Sequence, residues 1–287
     1  MLRKSLRTPR VLHRLRSAIP LEQPDPEACV LQTEDVDLAG DTPTYGVQDM
    51  QAIVIKQYGG PEVLAIEDRP TPQVKVGQVL VKVMAFGINH AEIYFRQGAW
   101  GDVAEISGIE CVGLVKVDSS GRFEPGQKVL AIVGGMGRNL SGSYAEYVAV
   151  PSSNVAAIHT NLAWEDLAAI PESYATAWSA LVGNLALARG HTLLVRGATS
   201  ALGQAAVNIA AQIGAHVMAT TRNAQRAASL EALGAKEVLI EGRICRRGCA
   251  SAIRTASARC WTWSATRRCS IRSPCCVAAA MSAWPAF

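Results

Sequence analysis

Leu193-Leu194-Val195-Arg196-Gly197-Ala198-Thr199-Ser200-Ala201-Leu202-Gly203, running on into Gln204–Gly214, is the stretch on which the fold turns. Its apolar run, Thr192–Arg196, reads as a strand buried on both faces. The small residues of Gly197–Gly203 then make a tight turn, and Gln204–Gly214 has helical spacing. A second buried run, His216–Thr220, follows. Strand, small-residue turn, helix and strand make a βαβ unit of a doubly wound parallel sheet. The turn residues Gly197, Ala198, Thr199, Ser200, Ala201, Leu202 and Gly203 let the backbone approach a pyrophosphate, whose charge would sit over the helix N-terminal amides. The motif departs from G-x-G-x-x-G, and the bland alternative is a tight βα turn with no ligand.

Past the second strand, at Thr220-Thr221-Arg222-Asn223, an NAD-binding fold would place an acid for the ribose 2′-hydroxyl. Arg222 stands there instead, with Arg226 a turn further on, and a guanidinium suits a 2′-phosphate. NADPH is therefore the expected cofactor. The alternative for both arginines is a solvated helix start.

Upstream, the texture is different. Gln51–Gln57, Val79–Met84, Cys111–Val117 and Lys128–Val133 are short, β-branched and punctuated by Gly and Pro, as in an all-β module. After about Trp164 the pattern turns helical. Residues 1–20 carry six Lys or Arg and no acid, and residues up to 49 lack periodicity. They read as a disordered leader or a mis-assigned start before Met50, with a mitochondrial presequence as the alternative. The overall charge of +4 comes from the two ends, so it does not mark a nucleic-acid binder, and no apolar run is long enough for a membrane span. Six of the eight cysteines lie after Arg243, which does not suit a secreted disulfide framework and leaves a cytoplasmic location as the expectation.

In order along the chain, Ile53–Lys56, Gly59-Gly60-Pro61-Glu62-Val63-Leu64, Gly77–Val83, Gly87-Ile88-Asn89, Pro125-Gly126-Gln127-Lys128-Val129, Gly142–Tyr147, Thr176-Ala177-Trp178 and Gly197–Gly203 resemble the zinc-free quinone reductases, zeta-crystallin-like members of the medium-chain dehydrogenase/reductase superfamily. The resemblance covers about Met50 to Arg243. It implies an α/β fold: a GroES-like β-module plus a Rossmann-type doubly wound parallel sheet, here incomplete. It divides the chain into 1–49, a GroES-like catalytic module at 50–175, a partial NADPH-binding domain at 176–243, and a tail at 244–287. It also implies a small-molecule quinone or enone substrate, a homodimer, and Thr176 among the cofactor-binding residues. Asn89 and Tyr94 match positions facing the nicotinamide and substrate, so Asn89 would fix substrate or ribose and Tyr94 would donate a hydrogen bond or proton. Tyr94 reads equally as an aromatic packed in the module's wall. Zinc relatives carry a Cys near Gly87 and a G-H-E motif. Asn89 and Gly108-Ile109-Glu110 stand in those regions, and no Cys lies between Cys111 and Cys245, so no metal site is expected. An enoyl-thioester reductase of the same superfamily is the alternative activity.

The tail mixes Cys, Trp, Arg and Ser with neither helical nor strand period. Reading each true codon as the last base of one tail codon plus the first two of the next, Cys260–Trp261 forces Leu, Trp261–Thr262 Asp, Cys275–Cys276 Leu and Trp284–Pro285 Ala. The restored string reads V-L-D-x-V-G-N, then L-x-R-G-G-x-V-x-L-A-G, which resembles the family's next strand, helix and strand. A frameshift near Arg243 is therefore expected, with an inactive truncated product as a further alternative.

Overall fold

The computed structural model describes residues 49–241 and the backbone of 258–262. The leader before residue 49 and the rest of the tail lie outside the described residues. The chain divides into two compact units after Ala168, upstream of the boundary at 175 expected from the sequence.

In the first unit, β1 (Asp49–Ile55) and β2 (Leu64–Pro70) pair antiparallel, in register from Asp49 opposite Pro70 to Ile55 opposite Leu64. A five-stranded antiparallel sheet follows, from β3 (Gln78–Ala85), β4 (Glu110–Asp118), β5 (Lys128–Ile132), β6 (Tyr147–Pro151) and β7 (Val155–Ala157). Its order is β6-β3-β4-β5-β7. The β-branched residues explain the strands: Val79, Val81, Val115, Val129, Val148 and Val150 are buried together. Each such valine contributes roughly 1.5–3 kcal/mol by leaving water. A helix, α1 (His90–Arg96), interrupts this unit between β3 and β4, so it is not all-β. A short helical turn, α2 (Trp164–Leu167), ends it.

The second unit begins with α3 (Pro171–Trp178), whose Pro171 sits at the first turn, where a missing N–H costs nothing. A π-helical turn, Ser179–Asn184, continues it. Next come β8 (Thr192–Arg196), α4 (Ala201–Ile213), β9 (His216–Thr221), α5 (Ala227–Ala232) and β10 (Glu237–Ile240). Strands β8, β9 and β10 are parallel neighbours, each pair joined by a crossover helix. Ala205, Ala206, Ile209 and Ala210 of α4 are buried against Leu193, Val195, Val217 and Ala219 of the strands. That alanine-rich face lets the helix lie close to the sheet.

Three differences from the sequence expectations have physical causes. No strand is expected after Arg243, yet the backbone of β11 (Ala258–Thr262) pairs parallel with β8, from Ala258 opposite Thr192 to Thr262 opposite Arg196. A ladder is made by backbone groups, so the open edge of β8 can take a segment without an apolar pattern. The sheet order is thus β10-β9-β8-β11. Second, the resemblance implies a strand at Gly142–Tyr147, yet only Tyr147 lies in one, with Ala145 making an isolated bridge to Ala52. Gly142 fits there because an added Cβ would lie 2.2 Å from the Ser107 carbonyl oxygen, which presses the segment against a neighbouring loop. Third, β10 is a strand in a region read as helical, because four residues are too few for periodicity to separate strand from helix.

Candidate nucleotide cavity and the polar network at Asn89

Strand β8 delivers the chain to Gly197, whose φ of +65° is open to glycine and strained for other residues. The turn is fastened at both ends. The Gly197 N–H donates to Thr220 Oγ1 at 3.3 Å, and the Ala198 N–H donates to the Thr220 carbonyl at 3.2 Å. Ser200 caps α4: its Oγ accepts from the Gly203 N–H at 3.0 Å and donates to the Gly197 carbonyl at 2.9 Å. The amides of Ala201 and Leu202 open the helix, where no intrahelical partner exists for them. At Gly203 an added Cβ would lie 2.5 Å from the Gly197 carbonyl oxygen, so only glycine lets helix and turn approach this closely.

A cavity of about 280 Å³ opens beside this turn, lined by Gly197, Thr199, Ser200, Thr221, Arg222 and Glu241. Five of these six are residues singled out from sequence. Thr221 is buried and its Oγ1 accepts from the Asn223 N–H at 3.1 Å, which fixes the chain reversal that presents Arg222 to solvent. The others are placed differently. Ala198 is fully buried and Leu202 packs on the core, while Ala201 is exposed at the helix start. Arg226 is exposed at the end of the 3-10 turn Ala224–Arg226. The Thr176 hydroxyl donates to Glu172 Oε1 at 2.8 Å. Glu241 was missed because it follows β10, a strand too short to read.

In the first unit, Asn89 is the N-cap of α1 and forms a capping box with Glu92. Its Nδ2 donates to Glu110 Oε1 at 2.8 Å. Glu92 is buried and accepts from the Asn89 N–H, from the Ile109 N–H at 3.1 Å and from Tyr144 Oη at 2.8 Å. Burial pushes the Glu92 carboxyl above its ordinary range, although these hydrogen bonds pull it back in part. Burial and the neighbouring Glu92 raise the Tyr144 phenol. Burial also pushes the Cys111 thiol up to about 12, so it stays protonated and unreactive. Tyr94 stands apart. Its half-exposed ring lies 6.1 Å from that of Trp100. The Asn-x-x-Glu spacing was the one sequence signal for Glu92; nothing marked Glu110 or Tyr144 as its neighbours.

Among the described residues, no three His, Cys, Asp or Glu side chains gather as a metal site would need, and no helix is long and apolar enough to cross a membrane.

Residues 75–160 match the alcohol dehydrogenase GroES-like domain. The human quinone oxidoreductase is 34% identical over 187 residues, covering 61% of this chain and 54% of that protein. The crystal structure of a Pseudomonas syringae quinone oxidoreductase superposes with a TM-score of 0.64 at 25% identity, over 74% of this chain and 66% of that one. A mycobacterial protein solved in complex with NADPH gives a TM-score of 0.64 at 27% identity, over 74% of this chain and 65% of that one. The chain spans about half the length of the curated relatives it matches.

The GroES-like match and the parallel dinucleotide-type sheet are similar to those of the medium-chain dehydrogenase/reductase superfamily. Within it, the likeness is to the zeta-crystallin-like quinone reductases.

Proposed function

We propose that the protein is an NADPH-dependent oxidoreductase that reduces quinones or related α,β-unsaturated carbonyls without zinc. The observation that carries this reading is the cavity at Gly197–Gly203, where a glycine turn, a helix N-terminus and Arg222 meet. Its features fit a dinucleotide: Gly203 has no room for a Cβ, and the first-turn amides of α4 suit a pyrophosphate. The turn and the amides of Ala201 and Leu202 would hold the pyrophosphate, and Arg222 the 2′-phosphate. The cofactor, when bound, supplies the hydride.

The chain's own task is then orientation and a polar contact for the oxygen that gains charge on reduction. Asn89 is the stronger candidate, since Glu110 fixes the orientation of its amide. Glu92 and Tyr144 act through it, as positioning residues that hold the start of α1. Tyr94, exposed beside Trp100, has the freedom to turn its hydroxyl toward a substrate. Metal independence is supported by the use of Asn89 and Glu110 on each other, where zinc relatives place ligands.

The test is cofactor choice. NADPH should bind more tightly than NADH by direct titration, with quinone-dependent oxidation of NADPH in the presence of a chelator. Arg222→Ala should remove the preference, a loss of about 1–3 kcal/mol for a charge-assisted contact. Equal affinities in the unmodified protein would overturn the assignment of Arg222.

A further inference from the structure

The cavity contains one group that the NADPH reading does not use. Glu241 lies on its wall together with Arg222, so a carboxylate and a guanidinium line the same small space. Glu241 directly follows β10, and its backbone N–H donates to the Thr221 carbonyl at 2.7 Å, which ties it to the residue before Arg222.

Its side chain is also held. Oε1 accepts from Thr220 Oγ1 at 2.6 Å and lies 3.8 Å from Arg196 Nε. Thr220 Oγ1 in turn accepts from the Gly197 N–H, so a two-bond relay runs from the glycine turn to Glu241. Oε1 is occupied by these contacts. A carboxylate has about four lone-pair sites, so Oε2 keeps acceptor capacity in a wall built to meet a ligand.

We propose that Glu241 is a specificity-determining residue of the nucleotide cavity, accepting a hydrogen bond from an adenosine ribose hydroxyl and offsetting the attraction of Arg222 for a 2′-phosphate. This rests on the dinucleotide reading of the cavity. A ribose that bears a free hydroxyl gives Glu241 a donor, whereas one that bears a phosphate gives it a second anion. Arg222 favours the phosphate and Glu241 the hydroxyl. NADPH is preferred by a narrower margin than Arg222 alone would set, and NADH remains a usable ligand. The arginine at the strand end is what the sequence displays; the opposing charge arrives from the neighbouring strand.

The experiment is titration of NADPH, NADH, 2′,5′-ADP and 5′-AMP against the full chain and its Glu241→Gln variant, at low and high salt. Gln keeps a carbonyl to accept from Thr220, so the relay to Gly197 survives, while the charge is removed. The variant should bind NADPH and 2′,5′-ADP more tightly, by roughly tenfold at low salt and less at high salt, as expected for a partly screened charge. NADH and 5′-AMP should bind equally or more weakly. Glu241→Ala should give the same widened preference with weaker binding overall, because Thr220 loses its acceptor. If Glu241→Gln binds all four ligands with the ratios of the unmodified protein, Glu241 has no part in selection and the proposal fails. If the unmodified protein binds none of the four, it is the dinucleotide reading that fails.

Discussion

The two polar constellations of this protein are built in opposite ways. Around α1, Glu92 is sealed from water and its oxygens are taken by the Asn89 and Ile109 amides and the Tyr144 hydroxyl. At the ends of β8, β9 and β10, the charged groups keep some contact with solvent: Arg222 is exposed and Glu241 partly buried, at a wall of backbone amides and hydroxyls. A buried, fully paired group cannot exchange partners without loss, so the first constellation fixes geometry. An open one can exchange water for ligand at little cost, so the second is suited to binding. Substitutions in the first should therefore be read in stability, and those in the second in affinity.

The largest effect is expected at Glu92. Glu92→Ala strands the Ile109 and Asn89 amides and the Tyr144 hydroxyl in an enclosed space. Buried donors left without acceptors cost about 1–3 kcal/mol each, moderated by whatever water enters, so a loss of about 3 kcal/mol is expected. Denaturant unfolding measures it. In the same assay Arg222→Ala should stay within about 0.5 kcal/mol of the unmodified protein, since it removes an exposed side chain. A Glu92→Ala cost below that of Arg222→Ala would erase the distinction between the two constellations.

Gly203 tests the boundary between rigid frame and open site. Gly203→Val places a Cβ and two methyl groups against the Gly197 carbonyl and Ala198, where even a Cβ would stand at 2.5 and 2.7 Å. Helix and turn must separate, at a cost of about 1–3 kcal/mol for overpacking. The Ser200 cap and the amides of the first turn move with them, so NADPH binding should fall sharply in a protein that still unfolds cooperatively. Unchanged affinity would show that the close approach serves packing alone.

The open site was the more legible from sequence, and the reason is local chemistry. Gly197–Gly203 and Arg222 announce themselves by following buried strands, because turn and helix-start residues are chosen by backbone geometry within a few positions. Glu241 is no further from Arg222 in space than the cavity wall, yet reaches it only through the pairing of β10 with β9. The closed network is assembled from α1, the start of β4 and the loop before β6, and no spacing in the chain links Glu92 with Tyr144. Its one local trace is the capping-box interval from Asn89 to Glu92. The same division accounts for the sheet. Strand β8 was evident from Leu193-Leu194-Val195, whereas Ala258–Thr262, whose backbone pairs with it as β11, carries no strand period to read.

The smallest effect lies in the pH dependence of stability, and its sign separates buried from exposed carboxylates. Glu92 ionises in the folded state only above its ordinary value of 4.5, because burial disfavours the charge more than its hydrogen bonds restore it. Below that value both states hold the proton and nothing is lost. As pH rises, the unfolded chain releases its proton first, so stability falls until the folded carboxyl has also ionised, with a slope of at most about 1.4 kcal/mol per pH unit. Glu172, raised by burial in the second unit, acts in the same direction. Asp118 acts oppositely: burial would raise it, but bonds from Ser120, Phe123 and Arg122 lower it below 3.8, so its contribution is present at higher pH and is lost on acidification. Unfolding measured from pH 4 to 8 should therefore show stability declining as pH rises above 4.5. Glu92→Gln should flatten part of that decline and Glu172→Gln another part, whatever each does to the absolute stability. If the decline keeps its full slope in Glu92→Gln, the network around α1 is not closed to water, and the contrast with the nucleotide cavity is one of position only.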